Sequence, residues 1–262
     1  MVPDMVNTEP SVALVVGAGG PTGGPFAWAA LDALEQRTGW DPATASEVIG
    51  TSAGAFVAAR FEEPTAVDTT AVARLHELSN GHTFRTGTLV RPLSAARVIG
   101  GRLFARLAPT SRDLAEYRVS DGPYHRSASV VTVERRSARR VQHRLVTADV
   151  EAVVRASAAI PFADQPVAVG GIDHVDGATY SANNADLVDG TPDVVVIISP
   201  MVPLSGGSIT ARAHRAQLAC EIADLVSRGC AVVAVLPSEE AHRNRRDRER
   251  FAPEGATAVA RL

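Results

Sequence analysis

Short apolar runs alternate with longer amphipathic stretches along most of the chain. The runs are rich in β-branched residues and are bounded by Gly, Pro or polar residues, which is the pattern of strands buried in a sheet. They are VALVV (12–16), SEVIG (46–50), SASVVTV (127–133), RVQHRLV (140–146), DVVVIIS (193–199) and AVVAVLP (231–237). We expect the last two to be central parallel strands, because they are almost entirely apolar.

The stretches between these runs carry apolar residues at helical spacing. They are PFAWAALDALEQR (25–37), SAGAFVAARF (52–61), DVEAVVRASAAI (149–160) and ITARAHRAQLACEIADLVSRG (209–229). The segment ERRSAR predicts a hairpin between two of the strands, and PVAVGG and IDHVDGATY predict two further short strands around a turn. Alternation of strands and helices predicts a layered α/β fold with a mostly parallel sheet.

The length of 262 residues suits one large domain with a substantial core. Residues 1–10 are polar and contain proline, so we expect a flexible N-terminal tail. Residues 11–262 are then a single domain. Within it, residues 62–120 hold the helical pieces AVARLHEL and LSAARVIGGRLFARL between Gly and Pro turns, and we expect them to form an insertion over the sheet.

The basic residues limit the chemistry, because all 26 of them are arginine. Without lysine there is no Schiff-base chemistry, no P-loop lysine and no Ser-Lys dyad. The net charge of −3 gives no reason to expect a nucleic-acid partner. The arginine-rich segments 135–140 and 242–250 favour a solvated face, with phosphate binding or peripheral contact with a membrane as the alternative.

The remaining composition favours a soluble cytoplasmic protein without a cofactor. Two cysteines are too few for a metal cluster or a disulfide framework, and they suit a reducing compartment. The first residues carry neither the basic nor the apolar part of a signal peptide. No apolar run approaches the roughly 20 residues of a membrane span.

The stretch VIGTSAGAF (48–56) contains a serine on a glycine-flanked turn between a strand and a helix. Gly50, Ser52 and Gly54 fit the G-x-S-x-G pattern, in which the glycines make room for a strained turn. The turn also puts Ser52 at a helix N-terminus, where free N–H groups and the helix dipole favour a developing oxyanion. We interpret Ser52 as a nucleophile, and a packing turn is the alternative.

The first glycine loop, GAGGPTGG (17–24), supports two interpretations. Gly17, Gly20 and Gly23 follow a strand and precede a helix, so the loop could hold the pyrophosphate of NAD(P) or another nucleotide. That interpretation requires an acidic residue at the end of the next strand, and this strand ends in the serine turn instead. Alternatively, the N–H groups of Gly19 and Gly20 form an oxyanion hole for an ester.

Ser52 needs a base, and two kinds of residue are available. An order of Ser, Asp and His would require a late histidine in a loop. His214 lies inside a helical pattern and His242 inside an arginine run, and both are expected at the surface. The other candidate is Asp176 in HVDGATY (174–180), although an Asp-Gly pair is by itself often only a hairpin turn.

The ordered motifs VVGAGGPTGG, VIGTSAGAF, ASAAIPFADQPV and VDGATYSANNADL resemble the patatin-like phospholipase family, from about Val12 through Ser199. The resemblance implies a three-layer α/β/α fold and a Ser-Asp dyad that cleaves carboxylic esters of acyl lipids, with no histidine. Ser52 would attack the ester and Asp176 would accept its proton. Gly177 would support the acid turn, and Asn183 and Asn184 would brace its loop.

Two departures from the family pattern bear on the substrate. Family members usually read G-G-G-x-R-G or G-G-G-x-K-G in the first loop, whereas here Ala18 replaces a glycine and Thr22 the basic residue. That basic residue is linked in the family to phosphate recognition or to support of the hole. A catalytically weak, lipid-binding member of the family is therefore a further alternative. Pro21 has no N–H, so Gly19 and Gly20 are the expected oxyanion donors.

Overall fold

The computed structural model describes residues 10–62, 68–80, 119, 122–205, 208–238 and 241. Nearly all of the expected tail, most of the expected insertion at 62–120 and the arginine-rich segment 242–250 lie outside the described residues. None of the helices in the described ranges has both the length and the apolar character needed to cross a bilayer.

Eight strands, five α-helices and four short 3-10 helices make up the regular structure of the described residues. The strands are β1 (Val12–Val16), β2 (Glu47–Gly50), β3 (Ala128–Glu134), β4 (Arg140–Arg144), β5 (Val167–Val169), β6 (Ile172–Asp176), β7 (Val194–Ile198) and β8 (Ala231–Val235). The helices are α1 (Gly23–Thr38), α2 (Ala53–Ala58), α3 (Thr69–Asn80), α4 (Val150–Ala158) and α5 (Ile209–Ser227). Each corresponds to a predicted element, and α3 contains the predicted helical piece AVARLHEL.

The strands form one mixed sheet in the order β5-β6-β3-β2-β1-β7-β8, with β4 also paired to β3. Strands β3, β2, β1, β7 and β8 run parallel, whereas β4 and β6 are antiparallel to β3, and β5 is antiparallel to β6. Both predicted hairpins are therefore confirmed. The prediction of two central strands is right for β7 and wrong for β8, which lies at the sheet edge and is only partly buried.

Helices cover both faces of the sheet, so the three-layer α/β/α fold is confirmed. Val12, Leu14 and Val16 of β1 pack with apolar residues of α1–α4, whereas Ala13 and Val15 face the other side and pack with α5. Because both sides of β1 are buried, its sequence is continuously apolar rather than alternating. Burial of each such Val or Leu side chain stabilises the fold by ~1.5–3 kcal/mol.

Side-chain caps define where two of these helices begin. Asp149 accepts the N–H of Ala152 at 3.1 Å at the start of α4. Ser208 accepts the N–H of Ala211 at 3.3 Å at the start of α5. Each cap satisfies one of the backbone donors that a helix N-terminus leaves free, a contribution of about 1 kcal/mol.

Strands β2 and β6 lie end to end along one edge of β3. The other edge of β3 is occupied by β4 over residues 129–133. Gly50 at the end of β2 pairs with Val130, and Asp176 at the end of β6 pairs with Thr132. The two pairs are only two residues apart on β3, roughly 7 Å. The sheet thus brings the end of β6 to the turn that follows β2, although the two segments are distant in sequence.

Candidate active site

Ser52 lies on a strained turn between β2 and α2. Its backbone angles are φ 56° and ψ −118° at the N-cap of α2, a region that residues with a side chain rarely adopt. Such a conformation costs about 1–3 kcal/mol and persists only where the surrounding structure holds it. The residue is 4% exposed.

Two glycines allow the chain to pack tightly around this turn. A side chain at Gly54 would overlap the carbonyl group of Val16 at the end of β1. A side chain at Gly50 would overlap the backbone at Gly54 and Ala55. Both obstacles are backbone atoms, which cannot turn away as the end of a flexible side chain can. The two glycines of the serine motif are therefore required by the close approach of β1, β2 and α2.

Ser157 supports the serine turn from α4. Its Oγ accepts the N–H of Ser52 at 2.8 Å and donates to the carbonyl oxygen of Val131 at 2.7 Å. Ser157 is fully buried, so no water replaces either bond. In the sequence, Ser157 belongs to the predicted helix DVEAVVRASAAI (149–160), and nothing in the local pattern indicates that it reaches Ser52.

Replacing this support should weaken both the fold and the site. We expect Ser157→Ala to lose about 1–3 kcal/mol of unfolding free energy, because the buried N–H of Ser52 is left without an acceptor. The ester hydrolysis that the family resemblance implies should fall about tenfold through displacement of the Ser52 hydroxyl. Denaturant unfolding and kcat measure the two effects. Ser227→Ala, at an exposed position on α5, is the control, and equal behaviour of the two variants would contradict this role.

Asp176 reaches the serine turn at the end of β6. It is 4% exposed, and its carboxyl group lies close enough to the hydroxyl of Ser52 for that hydroxyl to lower its pKa. Its Oδ1 also accepts the N–H of Ala178 at 2.7 Å, and its own N–H donates to the carbonyl oxygen of Ala159 at 2.9 Å. A side chain at Gly177 would overlap the carbonyl group of Val131, so the turn after Asp176 requires glycine.

Burial raises the pKa of Asp176 from 3.8 to about 7, because desolvation disfavours the charged carboxylate. The negative charge of Asp164 adds to this effect, whereas the bonds from Ala178 and Ser52 oppose it. Asp164 is fully buried and accepts the N–H of Ile160 at 3.0 Å. A carboxylate with this pKa binds a proton much better than an exposed aspartate and still ionises near neutral pH.

The first glycine loop offers backbone donors beside Ser52. The N–H groups of Gly17 and Ala18 are bonded to the carbonyl oxygens of Ile198 and Ala182, at 2.8 and 2.7 Å. By contrast, within the described residues the N–H groups of Gly19, Gly20 and Ala53 have no acceptor. Ala53, directly after Ser52, is a donor that the sequence analysis did not single out, although any helix N-terminus carries such groups.

The loop and the serine turn are in close contact. A side chain at Gly23 would lie 2.9 Å from the Cβ atom of Ala53, and one at Gly19 would overlap Gly23 itself. Gly20 has φ 59°, which glycine adopts freely. Thr22, at the position of the family's basic residue, turns its hydroxyl to the carbonyl oxygen of Gly19 at 3.4 Å. Thr22 therefore hydrogen-bonds within the loop, and the loop has no cation at this position.

A buried polar network lies behind the acid loop, the segment that follows Asp176. Asn184 donates to the hydroxyl of Thr51 at 3.1 Å and to the carbonyl oxygen of Ser181 at 2.8 Å. Arg140 bonds both carboxylate oxygens of Asp186, at 2.7 and 2.6 Å, and Oδ1 of Asn184 at 3.2 Å. These contacts connect the acid loop to the residue before Ser52, so Arg140 supports the site rather than lying on a solvated face.

The network ends at Glu221 on α5. The hydroxyl of Ser181 donates to its carboxyl group, and the N–H of Ala185 donates at 3.1 Å. Burial raises the pKa of Glu221. Asn183 is buried beside Gly17, and its amide has no partner among the described residues. Glu221 and Arg140 are not among the site residues predicted from the sequence, because both come from elements that the serine and glycine motifs do not include.

Two histidines, His143 and His174, contact the same hydroxyl group. Thr132 Oγ1 lies 2.8 Å from Nε2 of His143 and 2.7 Å from Nδ1 of His174, and burial lowers the pKa of both imidazoles. His214 is 4% exposed on α5, so the expectation that it lies at the surface is wrong. It is on the face of the sheet opposite α2. His242 lies outside the described residues.

One of three comparisons with known proteins identifies a family. The sequence profile of the patatin-like phospholipase family matches residues 14–189, the segment that contains Ser52 and Asp176. No curated protein matches the sequence significantly. The crystal structure of VipD from Legionella pneumophila is similar over 97% of this chain and 67% of that one, with a TM-score of 0.41 and 11% identity, too low to carry an argument. The profile match covers most of the chain, which therefore belongs to the patatin-like phospholipase family.

Proposed function

We propose that the protein is a serine acyl hydrolase that cleaves carboxylic esters of lipids through a dyad of Ser52 and Asp176. The observation that carries this proposal is the proximity of a serine hydroxyl on a strained turn to a buried carboxyl group whose pKa is about 7. An activated serine next to a base is the arrangement that nucleophilic catalysis requires. The family is one of lipid ester hydrolases, which supports the same reaction.

Acyl transfer to the enzyme follows from these contacts. The carboxylate of Asp176 takes the proton from Ser52 as Oγ attacks the ester carbon. The resulting oxyanion is stabilised by the N–H groups of Gly19 and Gly20, joined by that of Ala53. When the tetrahedral intermediate collapses, Asp176 returns the proton to the departing alcohol. The products of this half-reaction are the acyl-serine and the free alcohol.

Release of the acid uses the same groups. Water attacks the acyl-serine, and Asp176 accepts one of its protons. Collapse of the second tetrahedral intermediate breaks the bond to Oγ, and the proton passes from Asp176 to Ser52. The net reaction consumes one ester and one water and yields one acid and one alcohol, and both residues return to their starting states. No cofactor is needed.

The substrate is an acyl lipid or a simpler ester rather than specifically a phospholipid. Thr22 is uncharged and bonds the loop itself, so the loop position that carries a cation in other family members offers no charge to a phosphate group.

A single domain at residues 11–262 and a cytoplasmic location with peripheral membrane contact stay predictions. A nucleotide site has less support, because β2 ends in Gly50 followed by Thr51 and Ser52, with no carboxylate for a ribose.

Two measurements test the proposal. We expect the protein to hydrolyse nitrophenyl esters and to react with a fluorophosphonate probe, which labels only an activated hydroxyl. Mass spectrometry should locate the label on Ser52. Assays with a monoacylglycerol, a phosphatidylcholine and a lysophosphatidylcholine then identify the substrate class. Absence of labelling together with absence of hydrolysis would support the catalytically weak, lipid-binding alternative.

A further inference from the structure

A polar pocket lies at the opposite end of the sheet from the serine turn. It has a volume of about 430 Å³, within the range of about 300–1,000 Å³ typical of ligand sites. Ser11, Ser46 and Ser127, which directly precede β1, β2 and β3, are among its lining residues. Ser52 follows the other end of β2, a strand of four residues or roughly 13 Å. The polar pocket is therefore separate from the candidate active site.

The floor of the polar pocket is a polar part of a sheet face that is apolar elsewhere. Ile49 packs in the core on the side of α5, and Glu47, two residues earlier on β2, shares its face. Ile49 pairs with Ser129, and Ser129 pairs with Arg144, so these side chains are on the same face. Within the described residues, α5 packs mainly against β8 and residues 185–187. The starts of β2 and β3 thus face a cavity rather than a helix.

Several groups around the polar pocket are fixed as hydrogen-bond acceptors. The hydroxyl of Ser46 donates to the carbonyl oxygen of Val12 at 3.1 Å, and that of Ser11 donates to the carboxylate of Asp193 at 3.2 Å. A hydroxyl whose hydrogen is engaged in this way presents only its lone pairs to a ligand. Further hydroxyl groups in the lining belong to Ser127, Ser129 and Thr191. A ligand with several hydrogen-bond donors matches this lining.

The charges at the polar pocket favour a positive ligand. Oε2 of Glu47 accepts the N–H of Asp189 at 3.0 Å, so two carboxyl-bearing residues meet at one wall. The guanidinium of Arg144 lies 4.0 Å from the carboxylate of Asp189. Burial raises the pKa of Glu47 from 4.5 to about 7, and the charge of Asp189 adds to this effect, whereas the N–H of Asp189 and the charges of Arg144 and Arg228 oppose it. A further positive charge would stabilise the ionised carboxylate.

We propose that the polar pocket is a binding site for a small polyhydroxylated amine. The ammonium group pairs with Glu47 and Asp189, and such charge-assisted hydrogen bonds are stronger than neutral ones. The hydroxyl groups of the ligand bond the serine hydroxyls and Thr191. The site is additional to the proposed ester hydrolysis and does not depend on it, because none of its lining residues belongs to the dyad or the glycine loop.

Three probes test the ligand class: glucamine, sorbitol and gluconate. They share the same hydroxylated carbon chain and are positive, neutral and negative, respectively. In calorimetric titrations at pH 8, we expect glucamine to bind at least about tenfold more tightly than sorbitol, and gluconate to bind more weakly than either. Equal affinities for the three probes, or no binding of glucamine at about 10 mM, would overturn the proposal. Because binding is measured directly, a failure of ester hydrolysis would leave this result unaffected.

Variants then locate the binding site. Glu47→Gln removes the charge and keeps an oxygen for the N–H of Asp189, so it should abolish the preference for glucamine over sorbitol. Glu35→Gln, exposed on α1, is the matched control and should keep the preference. Thr191→Phe adds bulk at an exposed position of the lining and should abolish binding of both probes. Unchanged glucamine binding in folded Thr191→Phe protein would overturn the proposal, even if Glu47→Gln failed to fold.

The pH dependence of glucamine binding gives an independent test. A primary alkylamine stays protonated near neutral pH, whereas Glu47, with a pKa of about 7, becomes ionised. We therefore expect the affinity for glucamine to rise about tenfold between pH 6 and pH 8 in the wild type and to stay constant in Glu47→Gln. Sorbitol serves as the neutral control. A wild-type affinity for glucamine that did not change over this range would contradict Glu47 as the partner of the ammonium group.

Discussion

Ser52→Ala is expected to reduce ester hydrolysis by at least about 10⁴-fold, the largest effect of any single substitution in this chain. The variant keeps the Cβ atom and loses only Oγ, which is the attacking atom of the proposed mechanism. The glycine loop and the base are unchanged, so the remaining activity reports what binding and the oxyanion donors achieve alone. Initial rates with nitrophenyl butanoate measure the loss.

A second substitution at the same position tests the strain of the turn. Alanine retains the unfavourable φ of 56°, whereas glycine adopts this conformation freely. We expect Ser52→Gly to be as inactive as Ser52→Ala and more stable than it by about 1 kcal/mol, measured by denaturant unfolding. Ser227→Ala, exposed on α5, should keep wild-type activity and stability. Substantial hydrolysis by purified Ser52→Ala protein would exclude Ser52 as the nucleophile.

Asp176→Asn is expected to reduce kcat about 10²- to 10⁴-fold, because an amide cannot accept the proton of Ser52. Asparagine keeps the carbonyl oxygen that bonds the N–H of Ala178, so the turn should survive. Asp173→Asn makes the same chemical change on β6 at an exposed position, and its activity should equal that of the wild type. Similar losses in both variants would indicate damage to β6 rather than removal of a base.

The pH dependence follows from the same carboxyl group. The base must be ionised, and burial raises the pKa of Asp176 to about 7. We expect kcat/KM of the wild type to rise tenfold per pH unit below about pH 7 and to level off above it. A profile whose midpoint lay near pH 4 would contradict a buried base. Burial lowers the pKa values of both His174 and His143 from 6.5, so neither imidazole accounts for a midpoint near pH 7.

Stability should change with pH in the opposite direction to activity. Because the pKa of Asp176 is higher in the folded state than in the unfolded chain, the folded state binds an extra proton between pH 4 and 7. The wild type therefore loses stability as pH rises through this window, on the order of 4 kcal/mol in total. Asp176→Asn avoids this loss, so its Tm should exceed that of the wild type by about 5 °C or more at pH 9. The difference should vanish at pH 4.

Comparison of the wild type with Asp176→Asn separates the contribution of Asp176 to the pH dependence of stability from that of the other buried carboxyl groups. Burial raises the pKa of Glu47 to about 7 and also raises the pKa of Glu221, so both titrate in a similar range. They do so in wild type and variant alike, and their contribution cancels in the difference in Tm. A wild type more stable than Asp176→Asn at every pH would contradict the raised pKa.

Much of the fold was predictable because it depends on local patterns. Continuous apolar runs such as Val12–Val16 occur where a strand is buried on both faces, and the helices follow a period of 3.6 residues. The position of β8 at the edge was not predictable in this way, since α3 packs against it and gives an edge strand an apolar sequence. His214 likewise lies in a helical pattern whose buried side only the packing of α5 defines.

In the candidate site, too, some residues have a local signal in the sequence and others do not. Ser52 and the glycines around it were identifiable, because a strained turn and close backbone approach demand particular residues within a few positions. Asp176 was identifiable only through the order of several motifs, since an Asp-Gly pair alone also fits a hairpin. The contacts of Ser157, Arg140 and Glu221 had no signal in the sequence. Each comes from a separate helix or strand, and its partner is distant in the chain.

The sequence by itself determined the alternation of strands and helices, the serine turn, the glycine loop and the absence of lysine. Only the tertiary structure decided that β2 and β6 share one edge of β3, which brings Asp176 to Ser52. It also decided the burial that raises the pKa of Asp176 to about 7 and the polar pocket at the start of β2. Strand pairing and desolvation depend on neighbours from remote parts of the chain, so a local pattern of residues does not contain them.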